Sequence, residues 1–125
     1  LPEARYFSVL VKPPRDELYA ACDRRFSVML EEGALDEVEA LMKRELDPGL
    51  PVMRVLGVPE LAAFLAGETS REDAINKAQQ HTRNYAKRQM TWFRNQFNAS
   101  ETLCKQYYES FFDEIFPKIR QFLLT

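Results

Sequence analysis

The chain has few of the residues that build covalently or metal-held scaffolds. Its 125 residues include two cysteines, Cys22 and Cys104, not in a C-x-x-C pair, and one histidine, His81. Two thiols are too few for a disulfide framework, so both are read as buried or half-buried free thiols. His81 has no H-x-x-x-H or cysteine partner nearby in sequence, so the residues give neither a metal motif nor a Ser-His-Asp or Cys-His arrangement. A helix-surface or internally satisfied histidine is expected instead. With four glycines and seven prolines the chain is not collagen-like, and 12% aromatic residues exclude a disordered composition. No apolar run approaches the roughly 18 residues that span a bilayer, and the opening LPEARYF lacks the order of a signal peptide. The reading is cytoplasmic, with no membrane partner. A G-x-x-x-x-G-K-[ST] phosphate cradle is also lacking. The amino end has no initiator Met, so the chain is expected to be an excerpt of a longer protein.

The distribution of charge is the most informative absence. No Asp or Glu occurs between Ala74 and Ser100, while Lys77, Arg83, Lys87, Arg88 and Arg94 contribute +5. With a formal net charge of −2, the remainder carries −7. On a helix, Arg83, Lys87, Thr91 and Arg94 fall on one face at i, i+4, i+8 and i+11, with Tyr85, Arg88 and Trp92 beside it. Like charges one turn apart repel, so such a face is either solvated and paired to the acidic stretch from Glu31 to Asp47, or tracks phosphates. Tyr85, Trp92 and Phe93 are either core anchors or stacking platforms for bases. The carboxylates Glu31, Glu32, Asp36 and Glu37 surround a helix start, where they complement its dipole and need no catalytic role. Asn98-Ala99-Ser100 is a chance match to a glycosylation acceptor.

The fold expected is mainly helical. Residues 6–12, aromatic and β-branched and ended by Pro13-Pro14, predict one buried strand, and no second strand is apparent. Its partners are therefore expected in another part of a longer protein, since unpaired backbone is costly to bury. Residues 15–32 predict a helix stopped by Gly33, and Leu35, Val38, Leu41 and Met42 a second one, forming a helical hairpin with the first and ending near Asp47-Pro48-Gly49. A small helix follows from Pro59 to Leu65, closed by Gly67. Thr69 and Ser70 offer capping boxes, with Glu72 and Asp73, to a long helix reaching about Asn95. The final helix, about Tyr107 to Leu124, is kinked or restarted at Pro117.

The thirteen residues Thr82-Arg83-Asn84-Tyr85-Ala86-Lys87-Arg88-Gln89-Met90-Thr91-Trp92-Phe93-Arg94 resemble the T-R-x-x-A-K-R-Q-x-T-W-x-R signature of the tRNA dimethylallyltransferases. Two upstream stretches agree in order: Arg25-x-x-x-Met29-x-x-x-Gly33 with Glu37-Val38, and Leu50-Pro51-x-x-Arg54-x-x-Gly57. The resemblance covers about residues 6–97 and fades after Phe97. It implies a single carboxy-terminal helical portion, residues 1–125, of a P-loop-type α/β enzyme: strand 6–12, family-matching helices 14–97, and an unmatched tail, 98–125.

The resemblance further implies transfer of the prenyl group of dimethylallyl diphosphate to N6 of the adenine next to the anticodon. The Gly-rich loop, the Mg²⁺ site and the Asp that acts on the adenine would lie in the amino-terminal part, so no catalytic or metal residue is assigned here and the fragment alone is not expected to be active. By position, Lys87, Arg88 and Arg94 would neutralise phosphates, Gln89 and Thr91 would hydrogen-bond sugar or backbone, and Arg83 would belong to the same tRNA-binding set. Trp92 would stack or anchor the helix. Arg54 would approach the anticodon stem-loop, with Gly57 permitting close backbone approach. This chain departs from the family in having Val58-Pro59 where many relatives have an aromatic and then a basic residue. The parent is expected to be monomeric. The competing reading is a helical protein-interaction module whose basic helix meets an acidic partner, and a third is a dimerisation piece built on the Phe-rich last helix.

Overall fold

The structure, a computed structural model, describes residues 3–105 and 110–125. Its elements are strand β1 (Val9–Val11), helices α1 (Arg15–Glu31) and α2 (Ala34–Met42), a 3₁₀ turn (Pro51–Arg54), helices α3 (Val58–Leu65) and α4 (Arg71–Gln96), strand β2 (Glu101–Leu103) and helix α5 (Phe111–Leu123). The mainly helical class stands. The chain forms two units: a helical unit, Tyr19–Arg88, and a sheet unit made of the described residues of Leu1–Leu18 and Gln89–Thr125.

In the helical unit the elements begin and end where backbone chemistry dictates. Gly33 adopts φ +105°, a left-handed conformation available cheaply only to glycine, and so separates α1 from α2 after a two-residue turn. The backbone of α2 lies close against α3, while α1 and α2, joined by the short connection, meet through core side chains, Phe26 and Leu30 with Leu35, Val38 and Met42. The α2 helix ends at Met42, earlier than Asp47, because residues 43–45 only turn before the chain reaches Pro48. Pro59 sits in the first turn of α3, where its missing N–H costs nothing. At the start of α4 the Asp73 N–H donates to Ser70 Oγ at 3.1 Å, which selects Ser70 over Thr69 as the cap. The core joins one buried residue from each helix, Phe26, Val38, Leu61 and Ala78, with Leu30, Leu35, Met42, Val58, Ala62, Leu65 and Ile75 packed around them. Long α4 contributes to burial through alanines: Ala74, Ala78 and Ala86 are its buried positions.

The sheet unit corrects the expectation of a lone strand. β1 pairs in parallel with β2, Val9 opposite Glu101, Leu10 opposite Thr102 and Val11 opposite Leu103. Lys12 N–H donates to Leu103 O at 2.7 Å, and the N–H groups of Ser100 and Glu101 both donate to Ser8 O. At three residues, β2 is too short for an alternating pattern, which is why the sequence concealed it. β1 itself spans Val9–Val11, shorter than the expected 6–12. A second core forms from Leu103, Phe111 and Ile115, with Phe7 and Ile119 against it. Helix α5 continues through Pro117 without restarting. The expected beginning of this helix at Tyr107 lies outside the described residues.

Candidate nucleic-acid interface

Within the helical unit, the side chains in question lie on the turn before α3 and on α4. Arg54 closes the 3₁₀ turn and is exposed. Three residues later Gly57 is buried at φ +98°, and a Cβ there would meet Phe26 Cε2 at 3.1 Å. Glycine is thus required by backbone conformation and by the ring beneath it. Its N–H donates to Glu60 Oε2 at 3.1 Å, while Leu61 N–H returns to Gly57 O at 3.0 Å, so the entry to α3 is tied at both backbone groups. The departure Val58-Pro59 has a local account: Val58 packs on the core and Pro59 opens the helix, and neither offers a ring or a cation.

Glu60 is the buried charged residue of this unit, 7% exposed. Its other oxygen, Oε1, accepts from His81 Nδ1 at 2.5 Å. A carboxylate can only accept, so Nδ1 carries the proton and the ring is fixed in orientation. His81 is accordingly a satisfied histidine. This bond joins the start of α3 to α4 directly before Thr82, the first residue of the basic run. Sequence reasoning did not single out Glu60. The available signal was Glu three residues after Gly57, the spacing of a carboxylate that reaches back to a helix's first N–H. Beside the pair opens a cleft of about 310 Å³ bounded by Glu60, Glu68, Lys77 and His81.

On the helical-unit part of α4, Arg83 pairs with a carboxylate of the same unit. Its Nη1 donates to both oxygens of Asp23 at 2.9 Å, and Gln79 Nε2 donates to Asp23 O on the same helix α1. The acidic partner of Arg83 therefore comes from α1; within the 31–47 stretch Lys43 faces Glu39 one turn away at 3.8 Å. Next to this pair Cys22 is half-buried, and burial, then the Asp23 charge, push its thiol pKa up against the opposing pull of Arg25 and Arg83. Lys87 and Arg88 are exposed, with Arg88 over the Tyr85 ring at 5.9 Å. Tyr85 is 47% exposed and so is no core anchor of this unit.

On the sheet-unit part of α4, Gln89, Thr91 and Arg94 are exposed. Trp92 is 53% exposed and meets Phe93 edge-on, ring centroids 5.1 Å apart, with Phe97 edge-on beyond at 5.6 Å. Within this chain Trp92 is not buried. Seven of the nine candidate side chains, Arg54, Lys87, Arg88, Gln89, Thr91, Trp92 and Arg94, are thus presented at the surface; Gly57 is internal and Arg83 is engaged with Asp23. Among the described residues no group of three or more His, Cys, Asp or Glu is placed to hold a metal ion, and no helix is long and apolar enough to cross a membrane.

Comparison with known proteins gives these positions a context. The family model described as IPP transferase matches residues 2–96. The chain is 54% identical over 123 residues to a tRNA dimethylallyltransferase of Paramagnetospirillum magneticum, and 59% identical over 99 residues to one of Rhodospirillum centenum; these matches cover 98% and 79% of this chain but 39% and 32% of the relatives. The first alignment extends into the tail 98–125, whereas the family model ends at residue 96. Among solved structures, the chain is similar to the tRNA delta(2)-isopentenylpyrophosphate transferase of Staphylococcus epidermidis, with a TM-score of 0.84 and 31% identity over 95% of this chain and 39% of that one. It is likewise similar to the tRNA isopentenylpyrophosphate transferase of Bacillus halodurans, with a TM-score of 0.80 and 31% identity over 97% of this chain and 41% of that one.

Proposed function

This chain belongs to the IPP transferase family, and from that premise we propose that it is the tRNA-contacting, carboxy-terminal portion of an enzyme that prenylates tRNA. The enzyme would move the dimethylallyl group of dimethylallyl diphosphate to N6 of the adenine beside the anticodon. The observation that carries the reading is the surface placement of the cations and hydrogen-bonding groups of the signature run, in a stretch with no acid from Ala74 to Ser100. Lys87, Arg88 and Arg94 are assigned to phosphates of the anticodon stem-loop, and Gln89 and Thr91 to its sugar or backbone. Exposed Trp92 stacks on a base or on another part of the enzyme. Arg54 reaches the RNA from the turn that Gly57 shapes, and Arg83, locked to Asp23, adds its positive charge beside the run.

A target adenine must leave its stack to react, and a grip on the surrounding stem-loop holds the RNA while the base is extruded. Prenyl transfer and Mg²⁺ are assigned to residues outside this chain. The enzyme is assigned to the cytoplasm and to a monomer. The test is prenyl incorporation into tRNA by the protein expressed from its full coding sequence, with labelled dimethylallyl diphosphate. Incorporation that needs the adenine beside the anticodon supports the reading, and none with a folded protein contradicts it.

A further inference from the structure

The turn that carries Arg54 is short, irregular and exposed on its outer side, so something must fix its position relative to α4. Hydrogen bonds tie the chain at successive points: Met53 N–H donates to Leu50 O, Val58 N–H to Val55 O, Gly57 N–H to Glu60 Oε2, and His81 Nδ1 to Glu60 Oε1. The series ends one residue before the basic run. Its central group is a carboxylate buried to 7% exposure, where an apolar side chain would be the less costly way to fill the space. What the carboxylate supplies, and an apolar side chain cannot, is two directed bonds that set the angle between the turn and the helix. We propose that Glu60, oriented by His81, is a positioning residue for tRNA recognition: it holds the turn of Arg54 and Gly57 in register with the start of the basic run on α4.

This inference rests on the tRNA-contacting reading, so its test includes a variant that addresses that reading alone. In the protein expressed from its full coding sequence, Glu60→Ala and His81→Ala each raise the KM for tRNA on the order of tenfold, because a misplaced contact loses most of its value. The KM for dimethylallyl diphosphate stays where it was. Glu60→Gln, whose amide oxygen still accepts from Gly57 and whose amide nitrogen meets the other His81 tautomer, restores the tRNA KM, a rescue that simple destabilisation would not show. The Gly57 amide proton moves upfield in Glu60→Ala as its bond to the carboxylate is lost. Should Glu60→Ala not fold, the half-exposed His81→Ala variant decides. An unchanged tRNA KM in folded variants, with a raised KM in Lys87→Ala/Arg88→Ala, overturns the positioning role and leaves the tRNA reading standing. Unchanged values in all of these variants overturn both.

Discussion

The two units of this chain solve the same problem with different materials. The helical unit draws one buried residue from each of four helices and adds polar ties between them, Asp23 to Arg83 and Glu60 to His81. The sheet unit rests on a three-residue parallel pairing and a core of Leu103, Phe111 and Ile115, while Phe112 and Phe116 stack face to face at 5.3 Å with nearly half of each side chain in solvent. Lys118 bonds Glu101, and the Arg5 guanidinium lies over Phe122 at 4.7 Å while donating to Phe122 O, so its ties are largely peripheral. The family match at 2–96 includes all of the helical unit but only part of the sheet unit. In the helical unit directed polar ties join separate helices next to Arg54 and the start of the basic run, while Gln89, Thr91, Trp92 and Arg94 belong to the sheet unit, whose core is smaller.

That contrast can be broken most forcefully at the helical core. Phe26→Ala removes a ring that is both a core element and the floor under Gly57, and it is expected to cost about 3–5 kcal/mol in urea unfolding. Phe112→Ala in the sheet unit, where the ring is 45% exposed, is expected to cost under about 1 kcal/mol by comparison. Equal losses would mean that the exposed ring of Phe112 carries as much stability as the buried ring of Phe26. Next in size, Gly57→Ala forces a side chain into a left-handed backbone above Phe26, with an expected loss of roughly 1–2 kcal/mol or more read from the same transition.

A smaller effect tests the polar ties. Asp23→Ala releases Arg83, but both side chains are about a third exposed, so solvent already screens the pair and the loss is expected to be about 1 kcal/mol or less. A double-mutant cycle with Arg83→Ala measures it, and a coupling near zero would remove this tie from the comparison. The smallest effect concerns the thiols. Burial first, and then the Asp23 charge, raise the pKa of Cys22 above its unfolded value, so folding favours the neutral thiol. The linked stability is present at lower pH and is lost as pH climbs through the folded pKa, because the unfolded thiol ionises first. At about pH 8, alkylation is expected to label exposed Cys104 before Cys22. The reverse order would show that the α1 surface opens easily.

Much of this was legible because helices announce themselves over many residues. The stops at Gly33 and Gly67, Pro59 in the first turn of α3, the Ser70 cap and the extent of α4 follow from spacing and turn chemistry that any window of the chain contains. Three things were not legible. β2 was hidden because three residues cannot display a period, and its partner lies some ninety positions away. The α2–α3 pairing was hidden because a short loop fixes which helices are consecutive, not which backbones approach. Glu60 was hidden because a carboxylate reads as surface until its partners, Gly57 and His81, are placed around it. At the candidate interface the type of each residue was readable and its engagement was not: nothing in Arg83-Asn84-Tyr85 says that the arginine turns inward to Asp23 while the tyrosine stays out.

The central claim is that the signature run grips an anticodon stem-loop through its exposed cations. Its most direct test is the affinity of the protein for a labelled stem-loop at two salt concentrations, for wild type and Lys87→Ala/Arg88→Ala, with a scrambled hairpin of equal length as control. The account predicts preference for the stem-loop, weakening with salt, and a double variant that binds about tenfold less tightly with a shallower salt dependence by roughly 1.5 in logarithmic slope, as expected for two lost phosphate contacts. Equal affinity for the scrambled hairpin, or a double variant indistinguishable from wild type at both salts, would contradict it.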